Sequence, residues 1–120
     1  MRHGILAALL LLSGVDAPAQ EAGVTAWARV DSTHYLVGDW IHVRVDFRHP
    51  RGAAFRPLIG DSAGGFAVLE RQPLFPASDT TTTTGFILAK YDSGRAVVPP
   101  IPFTVSLPGD SARTVFTNPI

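Results

Sequence analysis

Apolar and polar residues alternate most regularly in the segment from Ile41 to Phe47. A period of two is typical of a β-strand that buries one face and exposes the other. We therefore predict a strand that packs on a second layer, each inward side chain contributing roughly 1.5–3 kcal/mol on burial. Turn-forming residues precede it at Gly38 and Asp39, and a loop-forming segment, 48–52, follows it. The inward side chains are Ile41, Val43, Val45 and Phe47, and the outward ones are His42, Arg44 and Asp46.

Shorter segments elsewhere have a similar strand-like composition and are separated by turn residues. The threonine run 80–84 favours a strand because β-branched side chains are stiff at the first torsion angle. We expect this run to be a solvent-facing edge strand or a low-complexity loop. Residues 50–65 are rich in glycine and proline and are predicted to be mostly loop. Further strands are predicted at 24–30, 66–70, 85–90, 95–98 and 113–117.

Prolines mark two segments as unsuited to the middle of a sheet. Residues 72–78 contain Pro73 and Pro76, which bars them from a central ladder position. Residues 99–103 contain three prolines, so we expect this segment at a sheet edge or crossing between sheets. No amphipathic helix is predicted after residue 19. The pattern indicates an all-β fold, and we expect an immunoglobulin-like β-sandwich of about seven short antiparallel strands.

The first 19 residues have the three-part plan of a secretory signal peptide. A basic start is followed by an apolar core, 5–12, and by a small-residue exit ending at Ala19. This apolar core is too short to span a bilayer of about 30 Å. The alternative to a signal peptide is a buried N-terminal helix. We predict cleavage after Ala19, which leaves one domain, 20–120, without a membrane span. Since no cysteine stands at the cleavage site to carry a lipid anchor, we expect a soluble exported product beginning at Gln20.

Charge and cysteine content narrow the context of this domain. Ten acidic and ten basic residues cancel, which argues against binding to nucleic acid or to an anionic membrane. The chain has no cysteine, so the fold must be stabilised by packing and not by disulfides. For an exported protein this favours the bacterial periplasm or cell envelope over an extracellular disulfide-rich module.

Catalytic chemistry finds little support in the sequence. The segment 60–65 is similar to the nucleophile loop of trypsin-like proteases, but Ala63 breaks the spacing around Ser62. No phosphate-binding loop or pair of carboxylates at a catalytic spacing is present. His34, His42 and His49 suggest a metal cluster only at first sight, because turns place His34 and His49 more than about 20 Å from His42. We expect three solvated histidines, no catalytic residue, no cofactor and no metal.

Aromatic side chains are the remaining candidates for a binding surface. Trp27, Tyr35 and Trp40 could form an exposed platform for sugars. Trp40 is in phase with His42 and therefore faces outward, and we expect a neighbouring loop to bury part of it. The residues proposed to contact a ligand or partner are Trp40, His42 and Arg44.

Four motifs in order along the chain give a family resemblance. They are Val37-Gly-Asp-Trp-Ile, Tyr91-Asp-Ser-Gly, Pro99-Pro-Ile-Pro-Phe and Thr117-Asn-Pro. In this respect the chain resembles the N-terminal region of BatD-like, aerotolerance-associated envelope proteins. The resemblance implies a first immunoglobulin-like domain of an envelope protein that works beside von Willebrand-type membrane partners. It implies no catalytic residues.

Two classes of function stay open at this point. One is a non-enzymatic interaction domain of a BatD-like envelope assembly, and the other is a small exported module that binds sugar or peptide through exposed aromatics. We also expect the last strand to be incomplete, because Pro119 lacks an amide and one residue follows it. The chain would then be the first part of a longer protein, and an open sheet edge would favour self-association.

Overall fold

The computed structural model describes residues 9–12, 19–21, 23–32 and 34–120, and this part of the chain consists of β-strands and their connections without a helix. The prediction of an all-β fold is confirmed. Within the same ranges no helix has the length and hydropathy needed to cross a bilayer. The strands are β1 (Leu9–Leu12), β2 (Ala19–Glu21), β3 (Val24–Val30), β4 (His34–Leu36), β5 (Ile41–Arg48), β6 (Ala54–Pro57), β7 (Ser62–Ala63), β8 (Phe66–Arg71), β9 (Phe75–Ser78), β10 (Thr81–Ala89), β11 (Gly94–Ala96), β12 (Pro102–Ser106) and β13 (Arg113–Phe116).

The largest sheet has seven strands and contains the alternating segment at its centre. Its order is β2-β3-β5-β10-β8-β7, with β9 also paired to β10, and all of these pairs are antiparallel. The inward residues of β5, from Ile41 to Phe47, are at most 2% exposed. The predicted strand and its phase are confirmed. Burial of alternate side chains sets the register, since a slip of one residue would turn all of them to water.

A smaller sheet shares the hydrophobic core with the large one. It has the order β13-β12-β6, and its central strand contributes Phe103 to the core. The Phe103 ring meets the Phe47 ring edge-on at 4.8 Å between centroids, and Phe55 of β6 stacks on Phe47 at 4.2 Å. Aromatic pairs in these arrangements add to the free energy gained from burial alone. The prediction that 50–65 is mostly loop is confirmed: only β6 and β7 interrupt it, and Phe55 of β6 packs on the core.

The threonine run is part of a central strand, so the prediction of an edge strand or loop is wrong. β10 lies between β5 on one side and β8 and β9 on the other. Thr82 and Thr84 are buried on its inner face. Their hydroxyls find partners there, because Thr84 donates to the Gln72 carbonyl at 2.8 Å and Thr82 bonds the His49 ring at 2.8 Å. A threonine whose hydroxyl is hydrogen-bonded can be buried in a strand with little loss of free energy.

The last residues of the chain connect the two sheets. Asn118 is buried, and its side-chain amide accepts from the Ala28 N–H at 2.8 Å and donates to the Ala28 carbonyl at 3.0 Å. Ile120 exchanges two backbone hydrogen bonds with Val98, at 2.7 and 3.0 Å. The segment after β13 thus holds β3 in the large sheet to the β12–β13 hairpin. The incomplete final strand stays a prediction.

The predicted signal peptide falls mainly on residues 1–8 and 13–18, which lie outside the described residues. The structure is that of the uncleaved chain, in which β1 pairs with β4 and β11 and forms the third sheet, β11-β1-β4. β2 spans the expected cleavage point after Ala19 and pairs with β3. Cleavage itself stays a prediction.

Candidate functional site

The outer face of the seven-stranded sheet, formed by β3, β5 and β10, carries the candidate site. We call it the outer face and define it by Trp27, Arg29, His42, Arg44, Asp46 and Gly85. The strand register brings these residues together, since Trp27 stands opposite Asp46 and both Arg29 and Gly85 stand opposite Arg44. Alternation places them away from the core, because their neighbours along each strand point inward.

Three charged side chains form a cluster at the middle of this face. Asp46 accepts from the Arg29 guanidinium at 3.0 Å and from the Arg44 Nε at 3.2 Å. One carboxylate between two guanidinium groups leaves an excess positive charge on the surface. The Arg29 guanidinium also lies 6.0 Å from the centre of the Trp27 ring. Exposed pairs of this kind add little to stability, so the cluster matters mainly for the charge it places on the outer face.

A groove of about 350 Å³ opens on the outer face, with Gly85 and Gln72 among the residues that line it. Gly85 lies in the middle of β10 and forms the floor of the groove. A Cβ atom at Gly85 would stand 2.6 Å from the Gln72 Oε1 and 3.1 Å from the Val43 carbonyl oxygen. Gln72 therefore packs over the glycine, and its backbone N–H donates to the Gly85 carbonyl at 2.9 Å. The outward phase of Gly85 and the close approach of Gln72 together explain why a glycine stands inside this strand.

Phe75 forms an apolar wall of this groove. It stands in β9 opposite Thr83 and leaves 62% of its surface exposed. A second groove, of about 360 Å³, lies on the other side of Arg44 and is bordered by Trp27 and Arg29. Arg44 and Thr83 line both grooves. The outer face is thus a continuous surface with a cationic ridge between an aromatic wall on each side.

The three predicted contact residues do not lie together. His42 and Arg44 are on the outer face and line the first groove, as their phase in β5 predicts. Trp40 precedes β5 and lines neither groove. It is 62% exposed, so most of its side chain faces solvent. Six residues of extended chain, roughly 20 Å, separate it from Asp46 opposite Trp27.

Trp27, Tyr35 and Trp40 do not form a common exposed platform. Tyr35 is buried, and its hydroxyl donates to the Asp31 carboxylate at 2.6 Å. Burial, with the Asp31 hydrogen bond and charge, raises the pKa of the Tyr35 hydroxyl well above its usual range. Tyr35 therefore belongs to the core, while Trp27 and Trp40 serve separate parts of the surface.

Sequence reasoning missed Gln72, Phe75 and Gly85. The segment 72–78 was expected only to avoid a central ladder position, and β9 does pair on one side with β10. A lone glycine between the threonine run and the apolar residues that follow it is the available signal, because a glycine inside a strand often marks close approach of another group. The identity of that group, Gln72, depends on pairing between β8 and β10.

His49 is not a solvated histidine, and its prediction is wrong. It is 8% exposed and lies directly after β5. Its Nδ1 is 2.8 Å from the Pro50 carbonyl oxygen, and its Nε2 is 2.8 Å from the Thr82 hydroxyl. Since a carbonyl only accepts, Nδ1 carries a proton, and the Thr82 hydroxyl is the hydrogen-bond partner of Nε2. His34 and His42 are exposed, and the described residues contain no group of three or more His, Cys, Asp or Glu arranged to hold a metal.

The loop around Ser62 is a β-hairpin turn. β7 pairs with β8 through Ser62 opposite Ala67 and Ala63 opposite Phe66, which leaves Gly64 and Gly65 as the two-residue connection. Their φ angles are +56° and +86°. Positive φ at both central residues defines a type I′ turn, for which glycine is favoured. The glycines that suggest a protease loop therefore serve the hairpin.

Comparison of the chain with models of known protein families, with curated proteins and with solved structures gave no match.

Proposed function

We propose that this chain is an exported, non-enzymatic interaction domain of a bacterial cell-envelope assembly of the BatD-like type, and that its outer face binds a partner protein. One observation carries the proposal: Arg44 stands between two adjoining grooves that are walled by Phe75 and Trp27. Arginine and aromatic side chains contribute most of the binding energy at many protein interfaces. The resemblance to BatD-like proteins supplies the cellular context of the proposal.

The architecture we propose is an immunoglobulin-like β-sandwich. The contacts of Phe47 with Phe55 and Phe103 support two packed layers, the seven-stranded sheet and the β13-β12-β6 sheet. A sandwich leaves the outer face of each sheet free for binding. The outer face of the large sheet has the wider area and carries the grooves.

The chemistry of the outer face indicates what the partner presents. Arg29 and Arg44 share the single carboxylate of Asp46, so a partner carboxylate can replace it at either guanidinium. Phe75 offers an apolar surface beside that charge. The partner is therefore expected to present an acidic residue next to an apolar one. In the BatD-like context, von Willebrand-type membrane proteins and other envelope proteins are the proposed partners.

A second candidate function is binding of a small sugar or peptide in the first groove. The observation in its favour is a volume of about 350 Å³ with polar groups from His42 and Gln72 and an apolar wall at Phe75. Small-molecule sites fall in this range, roughly 300–1,000 Å³, and combine apolar walls with a few polar groups. Trp40 contributes to neither groove and would act only as a separate exposed contact.

A pull-down of the full chain from envelope extract, run beside a glycan array, tests both candidates. We expect Arg44→Glu and Phe75→Ala each to abolish capture of a protein partner, since one reverses the charge and the other removes the apolar wall. Arg113→Glu, an exposed charge reversal on β13, is the matched control and should retain capture. Equal capture by all variants would contradict the proposal. Glycan retention that is lost in Phe75→Ala would support the second function instead.

N-terminal sequencing of the exported product tests cleavage after Ala19.

A further inference from the structure

The strand β1 is the middle strand of the third sheet. It runs antiparallel to β4, with Leu10 opposite Tyr35, and parallel to β11, with Leu11 opposite Arg95. β4 and β11 have three residues each and have β1 as their common neighbour. The same four residues, Leu9–Leu12, belong to the segment that the sequence assigns to a cleaved leader. Removal of the leader would therefore take away a strand from between two others.

Hydrogen bonds within β4 show which of its backbone groups face β1. His34 bonds the Ser32 hydroxyl through both its N–H and its carbonyl, at 3.1 Å each. The Leu36 N–H donates to the Asp39 carboxylate at 2.8 Å, and its carbonyl accepts from the Asp39 N–H at 3.0 Å. Alternate residues of a strand direct their backbone groups to opposite sides. The N–H and carbonyl of Tyr35 consequently face β1.

The same alternation assigns the backbone groups on the β11 side. If Leu10 faces Tyr35, the N–H and carbonyl of Leu11 face β11. In parallel pairing a residue bonds the two neighbours of its partner, which here are Gly94 and Ala96. β4 and β11, which we call the two walls, thus both present backbone groups to a strand inserted between them.

Contacts that do not involve β1 hold both walls in place. Tyr35 anchors β4, because its ring belongs to the buried core and its hydroxyl bonds Asp31 at 2.6 Å. On the other side, Val98 follows β11 and exchanges two backbone hydrogen bonds with Ile120. β4 and β11 are therefore expected to keep a gap one strand wide, about 10 Å between their axes.

We propose that release of the leader opens a strand-accepting slot between β4 and β11, and that an extended apolar segment of a partner protein fills it. The uncleaved leader shows the required chemistry: four leucines in extended conformation, paired on both edges. Strand addition of this kind takes its affinity from main-chain hydrogen bonds and its specificity from side chains. Leu36 of β4, about half exposed, adds an apolar border. This inference rests on the export proposed above.

The test uses the full chain and a synthetic peptide of residues 7–14 with lysines at both ends for solubility. Leu10→Pro removes the N–H that faces Tyr35 and should release β1, so labelled peptide should bind this variant at least about tenfold more tightly than the wild-type chain. Leu11→Pro, which acts on the β11 side, is the second variant. Ser13→Pro, beyond the end of β1, is the matched control and should bind like the wild type.

Hydrogen exchange provides a readout at the two walls. The amides of Tyr35 and Ala96 should be protected in the wild type, exchange roughly tenfold faster in Leu10→Pro, and regain protection with peptide.

A peptide with N-methyl-Leu10 should not bind, whereas N-methylation at Ala7 should have no effect. Protection in Leu10→Pro without peptide would show that the slot closes, and equal binding of both methylated peptides would show nonspecific adhesion. Dimers of the variant would assign the slot to a second copy. Each of these three results overturns the proposal. None depends on export or on the outer face, so a failure here is distinct from a failure of the proposed function.

Discussion

The His49 imidazole shows how a single residue can be buried without loss of hydrogen bonding. Its two nitrogens meet the Pro50 carbonyl and the Thr82 hydroxyl at 2.8 Å each, and its ring packs against Phe55 at 5.2 Å between centroids. Thr82 comes from β10, 33 positions away along the chain. The pair therefore couples the end of β5 to β10 and helps to explain why threonines occupy a central strand.

We expect Thr82→Val to lower the free energy of unfolding by about 1–3 kcal/mol, because His49 Nε2 loses its partner while the volume of the side chain is kept. Urea denaturation of the full chain measures this change. Thr114→Val, an exposed threonine of β13, is the control and should change stability by less than about 0.5 kcal/mol. Equal effects of the two substitutions would show that the Thr82 hydroxyl contributes nothing specific.

At the scale of the element, β10 combines a buried inner face with an outer face that is opened by Gly85. The glycine weakens the strand, since a glycine inside regular structure costs roughly 0.5–1 kcal/mol relative to alanine. The absence of a side chain at position 85 makes room for the Gln72 side chain beside the groove. The atom nearest to an added Cβ is the end of a flexible side chain, whereas the next nearest, the Val43 carbonyl oxygen, belongs to the backbone.

A double-mutant cycle can separate these two contacts. We expect Gly85→Ala to change stability by less than about 1 kcal/mol, because Gln72 can move away. In a Gln72→Ala background the same substitution should be more favourable by roughly 0.5–1 kcal/mol, since the steric conflict is gone. Thermal unfolding of the four proteins gives the coupling. Additive effects would mean that the backbone contact with Val43 dominates.

For the whole molecule, Asn118 acts as a substitute strand at the edge of β3. β2 pairs with β3 only from Val24 to Ala26, so the backbone of Ala28 lies beyond it. The Asn118 amide pairs with both the N–H and the carbonyl of Ala28, across 90 positions of sequence. A side-chain amide has the same donor and acceptor as a peptide group and can continue the ladder. This contact closes the fold between its first long strand and its last residues.

Asn118→Ala is expected to lower the free energy of unfolding by about 2–4 kcal/mol, because two buried backbone groups of Ala28 lose their partners. Guanidinium denaturation followed by tryptophan fluorescence measures the loss. Ser111→Ala, in the exposed turn before β13, should leave the midpoint unchanged. A midpoint for Asn118→Ala equal to that of the control would show that water satisfies Ala28.

The all-β class, the phase of β5 and the outward direction of His42 and Arg44 could be predicted from the sequence alone. They depend on the two-residue period of a strand and on the transfer of apolar side chains from water, and both act within one segment. The hairpin turn at Gly64 and Gly65 is local for the same reason, since positive φ favours glycine wherever it is needed.

The tertiary structure alone decided the central place of β10, the burial of His49 and the groove over Gly85. Each depends on which distant strand pairs with which: β10 lies against β5 some forty residues before it, as in the pairing of Thr84 with Val45. The type of a residue indicates whether it can be buried. It does not indicate whether the fold brings a hydrogen-bond partner to its hydroxyl or imidazole. The charged cluster of the outer face forms for that reason, because the register between β3 and β5 brings Arg29 next to Arg44 and Asp46.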